Sequence, residues 1–275
     1  MGRIKEKTRF IKRVLLVQPT RVKTMGKRLF VLLNAPSANL YIRNKSIQDM
    51  FGAYDLAVVN YMPVYAYKEF CDFKPRYWIL IDPGLYFEND SYNSEKRKIE
   101  DVLSKIDWEC SIVTNQFADF NCRNDHIDYI RLPFYSAKRV SKYNVGFAKR
   151  NIIAYGMNNV AHASLFFGIT FGYKHIALLG LEYKMWNAYM DEKGLVFEDN
   201  EHFYDKKMPD IRYSYAEINK NKHGILVGQC ERDAESLRMF KKLRKYADIM
   251  GSEIVNYSPH SRVEFFLTKP IMTEE

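Results

Sequence analysis

Several stretches of this chain place hydrogen-bonding residues directly after apolar runs. Asn34-Ala35-Pro36-Ser37 follows residues 29–33, Asn60 closes 55–60, Asp82 follows 78–81, and Glu182 with Tyr183 follows 175–179. Tyr189 lies a little further on, and Asn158 and Asn159 open another apolar run. Each short run has the length of a buried strand, so the polar residues fall at strand ends, where open α/β sheets place their ligand sites. Amides, a hydroxyl and carboxylates there suit a polar organic ligand. His202, within Asp199-Asn200-Glu201-His202-Phe203-Tyr204, adds an imidazole that titrates near neutrality, as a general base must. Junctions of one kind in both halves of the chain point to one crevice built from both.

The same residues have plainer uses. Asn34 and Ser37 suit an Asx-type turn and a helix cap, and Asp82 before Pro83 suits a simple turn. Glu182 suits an exposed position at the sheet edge. Tyr183 and Tyr189 are two of 20 tyrosines and suit the packing of a lid on its domain. A lone histidine on a polar loop, as His202 is, suits simple exposure. His162, on an apolar helix, reads as a satisfied core residue, His175 as structural, and His126, beside Asp125 and Asp128, as a surface residue.

The elements that must position these groups alternate. Residues 29–33, 55–60, 78–81, 110–114, 129–132, 175–179 and 253–257 read as strands, several of them apolar throughout, as buried parallel strands are. Residues 40–51, 94–106, 158–171 and 231–250 read as helices, the last with Leu237, Phe240, Leu243 and Ala247 on one face and Gly251 after its end. Periodicity fails over about 186–229, which reads as an inserted lid. The alternation predicts an α/β protein: one doubly wound parallel sheet, Rossmann-like and GT-A-like, over 28–275.

Composition narrows the class. The 275 residues and 47% hydrophobic content fit a globular protein with a substantial core. Four cysteines without CxxC spacing read as reduced thiols, and no histidine or cysteine spacing points to a metal. No Gly-x-Gly-x-x-Gly, Walker A or Gly-x-Ser-x-Gly sequence occurs, so dinucleotide, P-loop and serine-hydrolase readings lose their main support. Net charge is +9, with many cations in an arm over 1–27. There Ile4, Phe10, Ile11, Val14 and Leu15 form one face of a helix, a pattern that suits an anionic membrane surface as well as a basic leader. The cations are not interleaved with aromatics as in an RNA-binding strand, so nucleic acid is not the expected partner. Lys241-Lys242 and Arg244-Lys245 read as the solvated face of the late helix, and with the arm they also suit a membrane. No leader cleavage pattern is visible, and a cytoplasmic protein, peripheral on the inner membrane face, is expected.

At the strand-end residues the chain resembles the bacterial sialyltransferases of glycosyltransferase family 42 and the related MptE-like proteins. Asn34-Ala35-Pro36-Ser37 is similar to the family's Asn-Gly-Pro-Ser turn, and Val58-Val59-Asn60 to its second strand. Ile81-Asp82-Pro83-Gly84-Leu85-Tyr86-Phe87-Glu88 parallels a segment of form Asn-Pro-Ser-Leu-Phe-Phe-Glu. Gly172 to Tyr183 is similar to its Gly-Tyr-Lys-Glu-Ile strand and following Gly-Ile-Asp-Phe. The resemblance implies a CMP-activated sugar bound at the strand ends and transferred with inversion, without a metal or other cofactor. It implies that Asn34, Ser37, Asn60 and Asp82 face the nucleotide, that Glu182 stands in place of an aspartate, and that Tyr183 and Tyr189 steady the departing phosphate. Phenol hydroxyls can hydrogen-bond that developing charge. The family's arginine and Ser-Gly are replaced in the neighbourhood of Met157-Asn158-Asn159, a departure that leaves Asn158 and Asn159 as the expected residues for that part of the donor contact. Its late histidine is replaced by Gly228-Gln229-Cys230-Glu231, so His202 is the preferred base, with His223 and His260 as the other candidates.

The expected function is therefore a metal-independent glycosyltransferase moving a sialic-acid-like sugar from a nucleotide donor to a surface glycan or lipid-linked glycan acceptor. The alternatives are an MptE-like pterin pyrophosphokinase using ATP and magnesium, and a non-catalytic basic module binding anionic glycan, lipid or RNA. Monomer and homo-oligomer both remain open.

Overall fold

The computed structural model describes residues 28–51, 54–82, 90–116, 118, 120–133, 135–183, 189–190, 196–198, 211–213, 225–259 and 261–269. The strands are β1 (Arg28–Leu32), β2 (Asp55–Val59), β3 (Tyr77–Leu80), β4 (Cys110–Asn115), β5 (Ile127–Leu132), β6 (His175–Leu179), β7 (Tyr189–Met190), β8 (Val196–Glu198), β9 (Ile211–Tyr213), β10 (Glu253–Asn256) and β11 (Leu267–Thr268). The helices are α1 (Ala38–Ile42), α2 (Lys45–Phe51), α3 (Met62–Tyr65), α4 (Tyr67–Phe73), α5 (Asp90–Ser104), α6 (Lys142–Lys149), α7 (Val160–Thr170) and α8 (Ile225–Met250).

Eight strands form one parallel sheet in the order β11-β10-β6-β1-β2-β3-β4-β5. The expected α/β, Rossmann-like fold is thus present. Both faces of the sheet are covered. Along β1, Leu29 and Val31 point into a core shared with α6, α7 and α8, while Phe30 and Leu32 point into a second core shared with α1 to α5. A strand buried on both faces has no polar side to alternate with, which is why Leu29 to Leu32, Leu56 to Val59 and Tyr77 to Leu80 are continuous apolar runs.

The chain builds β1 to β5 outward in one direction, then returns to lay β6 on the free side of β1. Leu29 pairs with Asp55 on one flank and with Ile176 on the other. That reversal is the topological switch point, and open sheets of this kind take ligands beyond the carboxyl ends of the strands that flank it, here β1 and β6. Gly180 holds those ends together. Its φ is 80°, and a Cβ there would lie 3.0 Å from the Leu33 carbonyl oxygen and 3.1 Å from the Ala38 Cβ.

Several boundaries differ from expectation. The helix expected over 40–51 is two helices, because Asn44 interrupts it and its Oδ1 accepts from the Ile47 N–H that opens α2. Helix α8 begins at Ile225, so the end of the stretch assigned to a lid is helical; Gly228 inside it acts as no breaker. Within the same stretch, β7, β8 and β9 form a separate antiparallel sheet. Helices α3, α4 and α6 and strand β11 had no counterpart in the sequence reading. The arm over 1–27 lies outside the described residues.

Candidate functional site

The switch point is closed by one contact between the halves of the chain. The backbone N–H of Ser37 donates to Glu182 Oε1 at 2.6 Å, across 145 residues of sequence. Glu182 is 4% exposed, which sets aside the plainer reading of an exposed carboxylate at the sheet edge. An N–H held by a buried carboxylate makes a charge-assisted bond, stronger than a neutral one. The loop carrying Glu182 is itself clamped. Leu181 N–H donates to Ser258 Oγ at 2.5 Å, Arg262 N–H donates to the Glu182 carbonyl at 3.0 Å, and Ser258 N–H donates to Asn256 Oδ1 at 3.0 Å. Tyr41 closes the floor by donating to the Tyr257 carbonyl; burial, then the neighbouring Glu182 and Tyr257, push its phenol up to about 12. Asn34 stands partly buried in the same turn as Ser37. The Ser37 side chain makes no capping bond to α1, and its buried Oγ has no hydrogen-bond partner among the described residues.

The ends of β2 and β3 form the next part of the rim. Asn60 has φ 44°, a left-handed conformation that asparagine tolerates better than most residues. Its backbone is fixed from both sides, donating to the Ile79 carbonyl at 2.9 Å and accepting from Trp78 Nε1 at 2.7 Å. Its side-chain Oδ1 is buried with no partner among the described residues. Asp82 follows β3 and takes a hydrogen bond from the Tyr61 phenol, whose pKa is raised by burial first and then by Asp82 and Glu95. Asp82 therefore does more than shape a turn.

Tyr183 leads to a second polar group, between α7 and α8. It too is left-handed, at φ 55°, an uncommon conformation for a bulky side chain and one that structures retain where surroundings impose it. Its ring meets Phe240 edge-on at 5.7 Å between centroids. Its hydroxyl is turned toward Ser236 and Asp233 of α8 and closes no hydrogen bond of good geometry; burial raises its pKa, with Asp233 adding to the rise and Ser236 opposing it. Ser236 Oγ accepts from Asn159 Nδ2 at 3.1 Å, and its carbonyl meets His162 Nε2, also at 3.1 Å. Asn159 Oδ1 caps α7 by accepting from the His162 N–H at 2.9 Å. His162 is fully buried, so it is the core residue expected, but only half satisfied: Nδ1 has no partner among the described residues.

The structure thus gathers Asn34, Ser37, Asn60, Asp82 and Glu182 along the carboxyl ends of β6, β1, β2 and β3, and turns Tyr183 toward the Ser236 that Asn159 hydrogen-bonds. Asn158 is exposed beside them. His202, His223 and His260 lie outside the described residues, as does the side chain of Tyr189, whose backbone pairs with Phe197. Tyr61, Asp233 and Ser236 were missed from sequence. Ser236 carried a usable signal, since it is a polar residue one turn before Phe240 on the inward face of α8. Among the described residues, no three histidine, cysteine, aspartate or glutamate side chains come together as a metal site.

Two buried polar atoms without partners among the described residues, Ser37 Oγ and Asn60 Oδ1, belong to the turns that follow the adjacent strands β1 and β2; a third, the Tyr183 hydroxyl, follows β6 in sequence but is turned toward α8. Each costs about 1–3 kcal/mol if left unpaired. A ligand that supplies the missing hydrogen bonds recovers that cost on binding. Comparison with protein-family models, with curated proteins and with solved structures found no match to this chain.

Proposed function

We propose that the switch-point crevice binds a nucleotide-activated sugar and that the protein is a glycosyltransferase of the sialyltransferase-like kind, passing a sialic-acid-like sugar from a CMP donor to a glycan or lipid-linked glycan acceptor. The observation that carries this reading is the pair of unsatisfied polar atoms, Ser37 Oγ and Asn60 Oδ1, after the adjacent strands β1 and β2, beside the switch point at which doubly wound sheets take nucleotides. The chemistry of the floor supports it. Asn60 Oδ1 needs a donor, and Asp82 and Glu182 supply acceptor oxygens, a set suited to the hydroxyls and amino group of a nucleoside. Tyr183 and Tyr189 would steady the leaving phosphate, and His202 would take the acceptor proton as the glycosidic bond forms.

Thermal denaturation with a panel of nucleotides tests the reading. CMP at a hundred times its dissociation constant should add about 2.7 kcal/mol, a rise of roughly 5 °C for a chain of this size. A larger rise with ATP and magnesium would replace the transferase with the pyrophosphokinase. No rise with any nucleotide would leave the basic binding module. His202→Ala should then lower turnover by about two to four orders of magnitude with donor affinity nearly unchanged.

A further inference from the structure

No aspartate or glutamate occurs between residues 129 and 181. Five of its seven cations fall on α6, just after it, and in the loop that leads into it. Lys138 and Arg139 lie in the loop that leaves the carboxyl end of β5, the same sheet edge as the crevice, and Lys142, Lys149 and Arg150 follow on and just after α6. All five are exposed, and none makes an ion pair among the described residues. Val145 and Ala148 of α6 are buried in the core, which turns Tyr143 and Arg150 outward and leaves Lys142 and Lys149 exposed along the flank of the helix. Tyr143 stands among the cations with 92% of its surface exposed, and Tyr135 is 46% exposed.

We infer that this platform seats the protein on an anionic lipid surface. Charge identifies an anionic partner, and the exposure of Tyr143 decides its shape. Tyr143, 92% exposed, projects from the surface and suits a planar bilayer, whose headgroup region accepts the body and hydroxyl of tyrosine together. The late basic pairs fit this role less well. Arg244 is bound to Asp248 at 2.8 Å and Lys242 lies 3.8 Å from Glu235, so their charge is partly cancelled on the helix itself. The assignment does not depend on which nucleotide the crevice takes.

Vesicle co-sedimentation of the full chain tests it, with phosphatidylcholine alone and with about one-third phosphatidylserine. The protein should partition onto the anionic vesicles, and raising the salt from 0.1 to 0.5 M should release it. Each cation near such a surface is worth about fivefold in partition, so Lys138→Ala, Lys142→Ala, Lys149→Ala and Arg150→Ala together should lower it by roughly several hundred-fold. Tyr143→Ala should lower it further and Tyr143→Trp restore it. Lys45→Ala, Lys68→Ala and Lys105→Ala, which remove cations already paired with a carboxylate one turn away, should leave it within about threefold. Equal partition of the fourfold variant and the wild type would overturn the inference and move any membrane contact elsewhere. So would equal binding to neutral vesicles, or tighter binding of a single-stranded oligonucleotide at the same salt.

Discussion

Asn60 carries two burdens that substitution can separate. Its backbone sits at φ 44°, and its side chain offers the crevice an acceptor. Asn60→Gly keeps the left-handed backbone and removes the acceptor, whereas Asn60→Ala removes the acceptor and strains the backbone by about 1–2 kcal/mol. Nucleotide titration should show both variants binding roughly fivefold to tenfold more weakly, and urea unfolding should show the alanine variant less stable than the glycine variant by about that margin. A glycine variant that binds as the wild type does would take Asn60 out of the site. Glu182 is a test of the closure. Glu182→Gln retains an oxygen for the Ser37 N–H and should cost about 1 kcal/mol, while Glu182→Ala, which leaves that N–H bare, should cost about 2–3 kcal/mol in the same unfolding measurement.

Among the elements, the approach of β6 to β1 leaves no room for a side chain at Gly180. Gly180→Ala should cost about 2 kcal/mol or more, from the positive φ and from the Leu33 carbonyl 3.0 Å away, with unfolding in urea as the measure. Strands of this kind were legible in the sequence because burial on both faces leaves only apolar residues: Leu29 to Leu32 and Leu56 to Val59 could be read directly. Helix α6 could not. It is short, Gly146 lies inside it, and only Val145 and Ala148 mark its buried side. Helices α3 and α4 were hidden by the run from Tyr61 to Phe73, whose aromatics fall on both buried and exposed positions. The grouping was legible where it depends on position at a strand end, as for the placement of Asn34, Ser37, Asn60, Asp82 and Glu182. It was not legible where distant segments meet, since nothing near Tyr183 in sequence announces Ser236 or Asp233, and nothing near Tyr61 announces its bond to Asp82.

At the scale of the whole molecule, His162 makes stability depend on acidity. Complete burial, with Lys242 adding and the Ser236 carbonyl opposing, pushes its pKa down to about 3. The unfolded imidazole titrates near 6.5, so between these values the unfolded chain binds a proton that the folded one refuses. The contribution is therefore complete above about pH 6.5 and is lost as pH falls toward 3, by up to about 1.4 kcal/mol per pH unit. His162→Gln, which can still donate to the Ser236 carbonyl, should flatten that slope in unfolding curves taken from pH 7 to pH 4; an unchanged slope would place the acid sensitivity elsewhere. The position of β1 has a consequence for how the protein is made. It lies in the middle of the sheet, yet on the ribosome it gains β2 early and β6 only after most of the chain has emerged. Until then the backbone edge of Leu29 to Leu32 is open to any other strand, including β1 of a second nascent chain. A chain cut just before β6 should therefore aggregate or exchange strands, and nascent molecules should depend on chaperones until the last third is synthesised.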